Sequence, residues 1–252
     1  CRYVPLLVRA WLVTGMDEWY GGSNLKFRMS KSKMYLYRKC PRKFYIETYT
    51  IYGKDRVSNE AAKKGSTLHE LFELYNKNSP EFDYYKQFLM KDDFYKTHIG
   101  NFFIILSMFG LDRAAYAERK LYDEEKNLVG IIDAIYEKDG KHILVDYKTG
   151  KYRESDYKDY LDELHLYVYL VQKTTDIKID QVGIFFTGYS NNSFIEDVEE
   201  KRIKSVLRKF DNTVKKIEAK KFDAKPSWLC NYCEYAYICD MIYDETTQDD
   251  FT

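Results

Sequence analysis

Two aspartates and a lysine interrupt otherwise apolar runs between residues 130 and 151. Asp133 lies in GIIDAIY, Asp146 lies in HILVDYK, and Lys148 follows two residues later. A buried charge without a partner is costly, so these groups either neutralise one another in a structural ion pair or bind something. Hard divalent cations take carboxylate and carbonyl oxygens. A metal ion beside a lysine can activate water and offset charge on a phosphate.

The spacing predicts that these side chains share one face of a sheet. Residues two apart on a strand point the same way, which places Asp146 beside Lys148 with the carbonyl of Tyr147 between them. Asp133, on the neighbouring strand, can reach the same face. An Asp-x-Lys pattern alone more often indicates a salt bridge, so the choice depends on the rest of the sequence.

Cysteines form a second candidate site. Cys230, Cys233 and Cys239 fall within CNYCEYAYIC, and Cys40 lies in RKCPRKFY. Such clustering, without a convincing export signal, indicates a metal or redox centre rather than disulfides. Three thiolates need a fourth ligand, for which Cys40 is the obvious candidate. Four thiolates suit structural zinc or an iron–sulfur cluster, and the split arrangement favours the cluster.

The composition is that of a globular chain of 252 residues, 45% hydrophobic and without formal net charge. The chain therefore lacks the overall basic excess of many nucleic-acid-binding proteins, although its cations cluster locally. No apolar run reaches the ~18–20 residues of a membrane span. We expect a cytoplasmic protein that does not associate with membranes.

Hydrophobic periodicity predicts the elements that must position these residues. They are an aromatic-rich helix over 30–49 broken at Pro41, a helix over 60–78, a mostly helical stretch over 81–110, the strands AERKLYD, LVGIIDAIYE and KHILVDYKTG, a helix over 157–173, the strand QVGIFFTGY, a short strand in SFIEDVE and a charged helix over 197–221. This order indicates a mixed α/β layered domain.

Over roughly residues 30–240 these motifs resemble the PD-(D/E)xK nuclease superfamily, and within it the RecB-like nucleases. The resemblance rests on the Gly-x-x-Asp and Asp-Tyr-Lys motifs, on KKGSTLHELFE, which carries His69, and on YAERKL, which carries Glu118. It implies a restriction-endonuclease-like mixed central sheet flanked by helices. It also implies Mn²⁺ or Mg²⁺ held by His69, Asp133, Asp146 and the Tyr147 carbonyl.

The helix after the lysine strand departs from the family pattern. The family usually has Gln-x-x-x-Tyr there, whereas YLDELHLYVYL places Glu163 at the glutamine position, followed by Tyr167. Glutamate cannot donate the hydrogen bond that glutamine donates. The resemblance implies a catalytic group of Lys148, Asp146, Asp133, Glu118, Glu163 and Tyr167.

The cysteines extend the resemblance to iron–sulfur members of the RecB-like nucleases, such as the CRISPR-associated adaptation nuclease and the nuclease domain of AddB. The opening MSKSKMYLYRKCPRKFY matches that set closely. The implied cofactor is a 4Fe–4S cluster bound by Cys40, Cys230, Cys233 and Cys239, joining the N- and C-terminal segments.

The expected domain organisation has four parts. They are an N-terminal arm or non-native leader (1–28), a helical region with one cluster cysteine and the metal-binding histidine (29–110), the nuclease core (111–222) and the cluster segment (223–252). Residues 29–252 are expected to form one compact unit.

The resemblance implies hydrolysis of phosphodiester bonds, mainly as an exonuclease on single-stranded DNA with some endonuclease action. This activity suits DNA repair, recombination or CRISPR spacer acquisition, with helicase, recombination or CRISPR adaptation proteins as partners. We expect Arg38, Arg42, Lys43 and Lys151 to contact DNA, and tyrosines of the cysteine segment to stack on bases. The alternative is a non-catalytic iron–sulfur subunit that binds DNA.

Overall fold

The computed structural model describes residues 28–53 and 60–239. The expected N-terminal arm lies outside the described residues, except for Arg28. The chain divides into two compact units, which we call the sheet unit (residues 58–209) and the cysteine unit (residues 1–57 with 210–252). The strands and the helices that cover them share one core within the sheet unit.

The sheet unit is built on five strands that lie in chain order across one sheet. They are β1 (Tyr116–Asp123), β2 (Leu128–Lys138), β3 (Lys141–Lys148), β4 (Gln181–Phe186) and β5 (Phe194–Asp197). β3 and β4 are parallel, and the other neighbouring pairs are antiparallel. Parallel neighbours need a long crossover, which the helix between β3 and β4 supplies. The predicted mixed α/β fold is confirmed.

Helices cover this sheet. They are α3 (Glu60–Asn76), α4 (Glu81–Leu89), α5 (Asp93–Phe109), α6 (Tyr157–Thr174) and α7 (Glu200–Glu218), which continues into the cysteine unit. The hydrophobic core includes Phe72 of α3 and Phe102 of α5, whose rings stack 4.1 Å apart, and the ring of Tyr147 on β3. None of the described helices is long and apolar enough to cross a membrane.

A two-residue turn sets the register of the central hairpin. Asp139 and Gly140 join β2 to β3, with φ angles of 52° and 74°. Two consecutive residues with positive φ are typical of a type I′ turn, for which Asp-Gly is a favoured sequence. The resulting register pairs Ala134 with Val145, so the next residue outward on each strand is an aspartate.

The cysteine unit contains α1 (Lys31–Lys39), α2 (Pro41–Tyr49) and the end of α7. The predicted helix break is confirmed: Cys40 has extended backbone angles, and Pro41 is the first residue of α2. Proline suits that position because it lacks the N–H that would remain unbonded there. The ring of Phe222 packs among the aromatic residues of the two helices, namely Tyr37, Phe44, Tyr45 and Tyr49.

Candidate active site

Three carboxylates lie in one row across β1, β2 and β3. In the β1–β2 ladder, Glu118 and Asp133 lie between the pairs Ala117–Ala134 and Arg119–Ile132. Asp133 and Asp146 each come one residue beyond Ala134–Val145, the last pair of the β2–β3 ladder. Glu118 also has a φ of 46°, a left-handed conformation that side chains other than glycine seldom adopt. Like charges directly opposite one another destabilise a sheet. The row is therefore better suited to binding a cation than to stabilising the fold.

Helix α3 adds a nitrogen ligand to this row. Nδ1 of His69 lies 3.6 Å from Oδ2 of Asp133 and 3.9 Å from Oε1 of Glu118. One ligand atom from each of these three residues lies within 4.8 Å of the others. Oxygen ligands suit Mg²⁺ or Mn²⁺, and the imidazole favours Mn²⁺. The donor set of His69, Glu118 and Asp133 fits a divalent cation, although Glu118 was expected in the catalytic group and not among the metal ligands.

The imidazole of His69 takes up a proton readily in this setting. Burial lowers the pKa of His69, but the nearby carboxylates of Asp133 and Glu118, together with the negative charge of Asp146, outweigh it and raise the pKa to about 10. The imidazolium then supplies positive charge among the carboxylates. Since a metal-bound histidine must be neutral, metal binding here requires that this proton leave.

The backbone of Tyr147 is fixed from two sides. Its N–H donates to Oδ2 of Asp133 at 2.7 Å. On the opposite face of β3 its buried hydroxyl lies 2.7 Å from the hydroxyl of Tyr136 and accepts from Nδ2 of Asn76 at 3.0 Å. The residue whose carbonyl was predicted as a metal ligand is thus held through its N–H and its side chain.

Lys148 forms the ion pair that was the alternative to an active site. Its Nζ lies 2.8 Å from Oδ2 of Asp146 and 3.7 Å from Oε2 of Glu163 on α6. The carboxylate of Asp146 is only 7% exposed, so it requires this counter-charge. Glu163, in place of the expected glutamine, gives the ammonium a second anionic neighbour.

Two buried residues that sequence reasoning missed hold the end of β3. The N–H of Thr187 donates to the carbonyl of Lys148 at 3.0 Å, and Oγ1 of Thr187 lies 2.8 Å from Nδ1 of His98. The carbonyl of Thr187 accepts from Nδ2 of Asn101 at 2.9 Å. Single polar residues far apart in sequence carry no motif, so only the fold brings them to the end of β3.

Tyr167 explains the glycine of the Gly-x-x-Asp motif. A Cβ on Gly130 would lie 2.7 Å from Cε1 of the Tyr167 ring, so only glycine lets α6 approach β2 this closely. Burial, and then the charges of Asp146 and Asp133, raise the pKa of Tyr167 well above its usual value. Tyr167 is therefore a protonated phenol close to the carboxylates and not a base.

The four cysteines line one cavity of about 250 Å³ in the cysteine unit. All four are free thiols, partly exposed. Sγ of Cys40 accepts from the N–H of Lys43 at 3.5 Å, and Sγ of Cys230 accepts from the N–H of Ser227 at 3.4 Å. Within the described ranges, no three of these sulfurs lie within 4.8 Å of one another. Among these described cysteines, the sulfurs therefore do not have the close spacing that a single metal ion requires.

The predicted DNA-contacting cations have different environments. Nε of Arg42 donates to the carbonyl of Phe222, and Nζ of Lys43 lies 3.2 Å from Oε1 of Glu234. Both cations therefore have partners within the cysteine unit. Arg38 and Lys151 are exposed, the latter on the loop after β3 in the sheet unit.

The tyrosines of the cysteine segment also differ from each other. Tyr235 is only 4% exposed, so the prediction that its ring stacks on bases is wrong, whereas Tyr232 is 81% exposed.

Comparisons with known proteins agree with this geometry. A family model of the PD-(D/E)XK nuclease superfamily matches residues 28–240. The crystal structure of a "Putative exonuclease" from Eubacterium rectale is similar at a TM-score of 0.57 and 14% identity, covering 94% of this chain and 97% of that chain. At this identity the similarity establishes the fold alone.

The crystal structure of SSO0001 matches at a TM-score of 0.39 and 14% identity, covering 93% of this chain and 96% of that chain, which is too distant to support an argument. No curated protein sequence matches significantly.

Proposed function

This chain belongs to the PD-(D/E)XK nuclease superfamily, and we propose that it is a Mn²⁺- or Mg²⁺-dependent deoxyribonuclease that acts mainly as an exonuclease on single-stranded DNA. The observation that carries the proposal is the approach of His69, Glu118 and Asp133 to within 4.8 Å of one another. Nuclease chemistry gives a reason for a row of carboxylates that would otherwise weaken the sheet.

The residues divide between binding a cation and stabilising charge. His69, Glu118, Asp133 and Asp146 would hold the cation, which when bound supplies an activated water and offsets charge on the phosphate. Lys148 orients the attacking water and stabilises negative charge that develops on the scissile phosphate. Because Glu163 lies 3.7 Å from Nζ, the ammonium would still have an anionic neighbour if Asp146 served as a metal ligand.

Replacement of Lys148 tests the active site against a purely structural ion pair. Lys148→Ala should reduce Mn²⁺-dependent cleavage more than about 100-fold and retain Mn²⁺ binding, since lysine supplies charge rather than a ligand. Lys141→Ala, which removes an exposed lysine from the same strand, is the matched control and should cleave normally. If the pair serves only the fold, Lys148→Ala will instead remain active and lose about 3–5 kcal/mol of stability.

The preference for single-stranded ends needs its own substrates. The name of the Eubacterium rectale protein supports an exonuclease, and DNA repair, recombination and CRISPR spacer acquisition all use such an activity, with a helicase partner opening the ends. Linear single strands should be degraded faster than blunt duplex and much faster than circular single strands. Equal rates on linear and circular strands would contradict exonuclease action.

We further propose that Cys40, Cys230, Cys233 and Cys239 bind a 4Fe–4S cluster. They line one cavity, and two of their sulfurs accept backbone N–H groups, which stabilise negative charge on sulfur. Zn–S bonds of 2.3 Å would hold tetrahedral sulfurs about 3.8 Å apart. A cluster spaces them more widely because each thiolate binds a different iron.

The cofactor proposal is tested by purification without oxygen. The protein should be brown and contain about four irons, and Cys40→Ala and Cys230→Ala should both lose iron. A colourless, folded protein with one zinc would contradict the cluster.

A further inference from the structure

The absence of net charge on the whole chain conceals a separation of charge between its units. The sheet unit has 27 carboxylates and 23 lysines and arginines, whereas the cysteine unit has 17 lysines and arginines and 13 carboxylates. Within the described residues of the cysteine unit the cations number 12 and the carboxylates five. A locally basic surface attracts polyanions even on a neutral chain.

The same unit exposes two large aromatic rings. Trp228 is 57% exposed and Tyr232 is 81% exposed. Their ring centroids lie 6.2 Å apart with the ring planes at 77°. Rings that are this exposed contribute little to a hydrophobic core, so stabilisation of the fold does not account for two large aromatic residues at these positions.

The backbone that carries the rings is fixed. Both belong to the short helical turn Trp228–Tyr232. The N–H of Cys230 donates to the carbonyl of Ser227 at 2.8 Å, and the N–H of Cys233 donates to the carbonyl of Cys230 at 3.1 Å. The backbone at the two rings is thus fixed before any ligand arrives, which lowers the entropic cost of binding.

We infer that Trp228 and Tyr232 form a stacking platform for the bases of a single-stranded nucleic acid. This inference rests on the proposed function and assigns a substrate-binding site to the cysteine unit. Unpaired bases expose the flat faces that stack on such rings, whereas a duplex hides them. The excess of cations in the cysteine unit complements the phosphates, and Lys225 lines the cysteine cavity together with Cys230, which lies between the two rings in sequence.

The test measures binding of a fluorescein-labelled oligodeoxythymidine to the full chain by anisotropy, in EDTA so that no cleavage occurs. Trp228→Ala and Tyr232→Ala should each weaken binding about 5- to 100-fold, the typical effect of removing one stacked ring. Tyr232→Phe keeps the ring and should bind within about twofold of the original. Circular dichroism checks that each variant is folded.

A matched control comes from the sheet unit. Tyr84 is 72% exposed, and its ring centroid lies 5.4 Å from that of Tyr85, so it reproduces an exposed aromatic pair in the unit where carboxylates outnumber cations. Tyr84→Ala should not change binding. If Tyr84→Ala weakens binding as much as Tyr232→Ala, or if folded Trp228→Ala and Tyr232→Ala bind normally, the platform is refuted.

An abasic oligonucleotide separates stacking from attraction to phosphates. The original protein should prefer the base-containing strand, and Trp228→Ala should lose that preference while retaining salt-sensitive binding of the abasic strand. Equal affinity of the original protein for both strands would overturn the inference. Since binding is measured without metal, failure of the nuclease proposal, seen as absent Mn²⁺-dependent cleavage, is distinguished from failure of the platform.

Discussion

Glu118 combines a carboxylate of the candidate metal site with a backbone conformation that glutamate disfavours. Its φ is 46° within β1. Two replacements separate the side chain from the backbone. Glu118→Gln removes the negative charge and keeps the conformational cost, whereas Glu118→Gly removes both. The difference in stability between these two variants therefore reports mainly the backbone.

The expected difference is small but measurable. The left-handed conformation costs an L-residue about 1–2 kcal/mol, and glycine loses about 0.5–1 kcal/mol more chain entropy on folding. Glu118→Gly should therefore be more stable than Glu118→Gln by about 0.5–1 kcal/mol. For a chain of this length, 1 kcal/mol shifts the melting temperature by about 2–4 °C, so the two variants should melt about 1–4 °C apart.

The assay is thermal unfolding in EDTA, followed by Mn²⁺-dependent cleavage. Lys220, exposed after α7 with a φ of 54°, provides the control pair Lys220→Gly and Lys220→Gln. That pair should show the same difference in melting temperature with normal cleavage, whereas both Glu118 variants should lose activity. If Glu118→Gly melts at or below Glu118→Gln while the Lys220 pair differs as expected, the backbone of Glu118 is not strained.

Three further predictions follow from buried contacts. Gly130→Ala should cost about 1–3 kcal/mol by overpacking, because the new methyl group would displace the ring of Tyr167; urea unfolding measures this cost. Tyr136→Phe should cost about 1 kcal/mol by removing the hydroxyl bonded to Tyr147, again by urea unfolding, while a neutral change would show that the bond contributes nothing. Burial lowers the pKa of His165, whose ring nitrogens contact the Leu161 carbonyl and the Glu199 N–H. Because the unfolded chain then binds the proton first, stability should fall as pH drops below about 6.5, and His165→Gln should show a flatter melting profile between pH 7.5 and 5.5.

Local sequence signals predicted the parts of the fold that local chemistry determines. The turn between β2 and β3 is such a part, because Asp139 and Gly140 are a favoured pair for it. The break at Pro41 is equally local and is confirmed. The approach of His69 to Asp133 was expected only from the family resemblance, because the separation of the two residues in the sequence does not predict their distance in space.

The remaining features depend on tertiary contacts that residue types do not encode. The positive φ of Glu118 arises within a strand whose sequence reads as regular. His98 and Thr187 meet only because α5 packs beside the end of β4. Tyr232 and Tyr235 are three residues apart in an irregular segment, where no periodicity tells which is exposed.

The turn at Asp139 and Gly140 determines which residues of β2 and β3 lie opposite one another in the candidate active site. Side chains alternate between faces along a strand, so a shift of one residue in the β2–β3 pairing would carry Asp133 away from Asp146 to the opposite face. The number of residues in this turn is therefore under the same constraint as the identity of the carboxylates, although neither turn residue belongs to the site. A peptide tag or a single added residue is tolerable on many surface loops, but at this one it would separate the two aspartates without altering either.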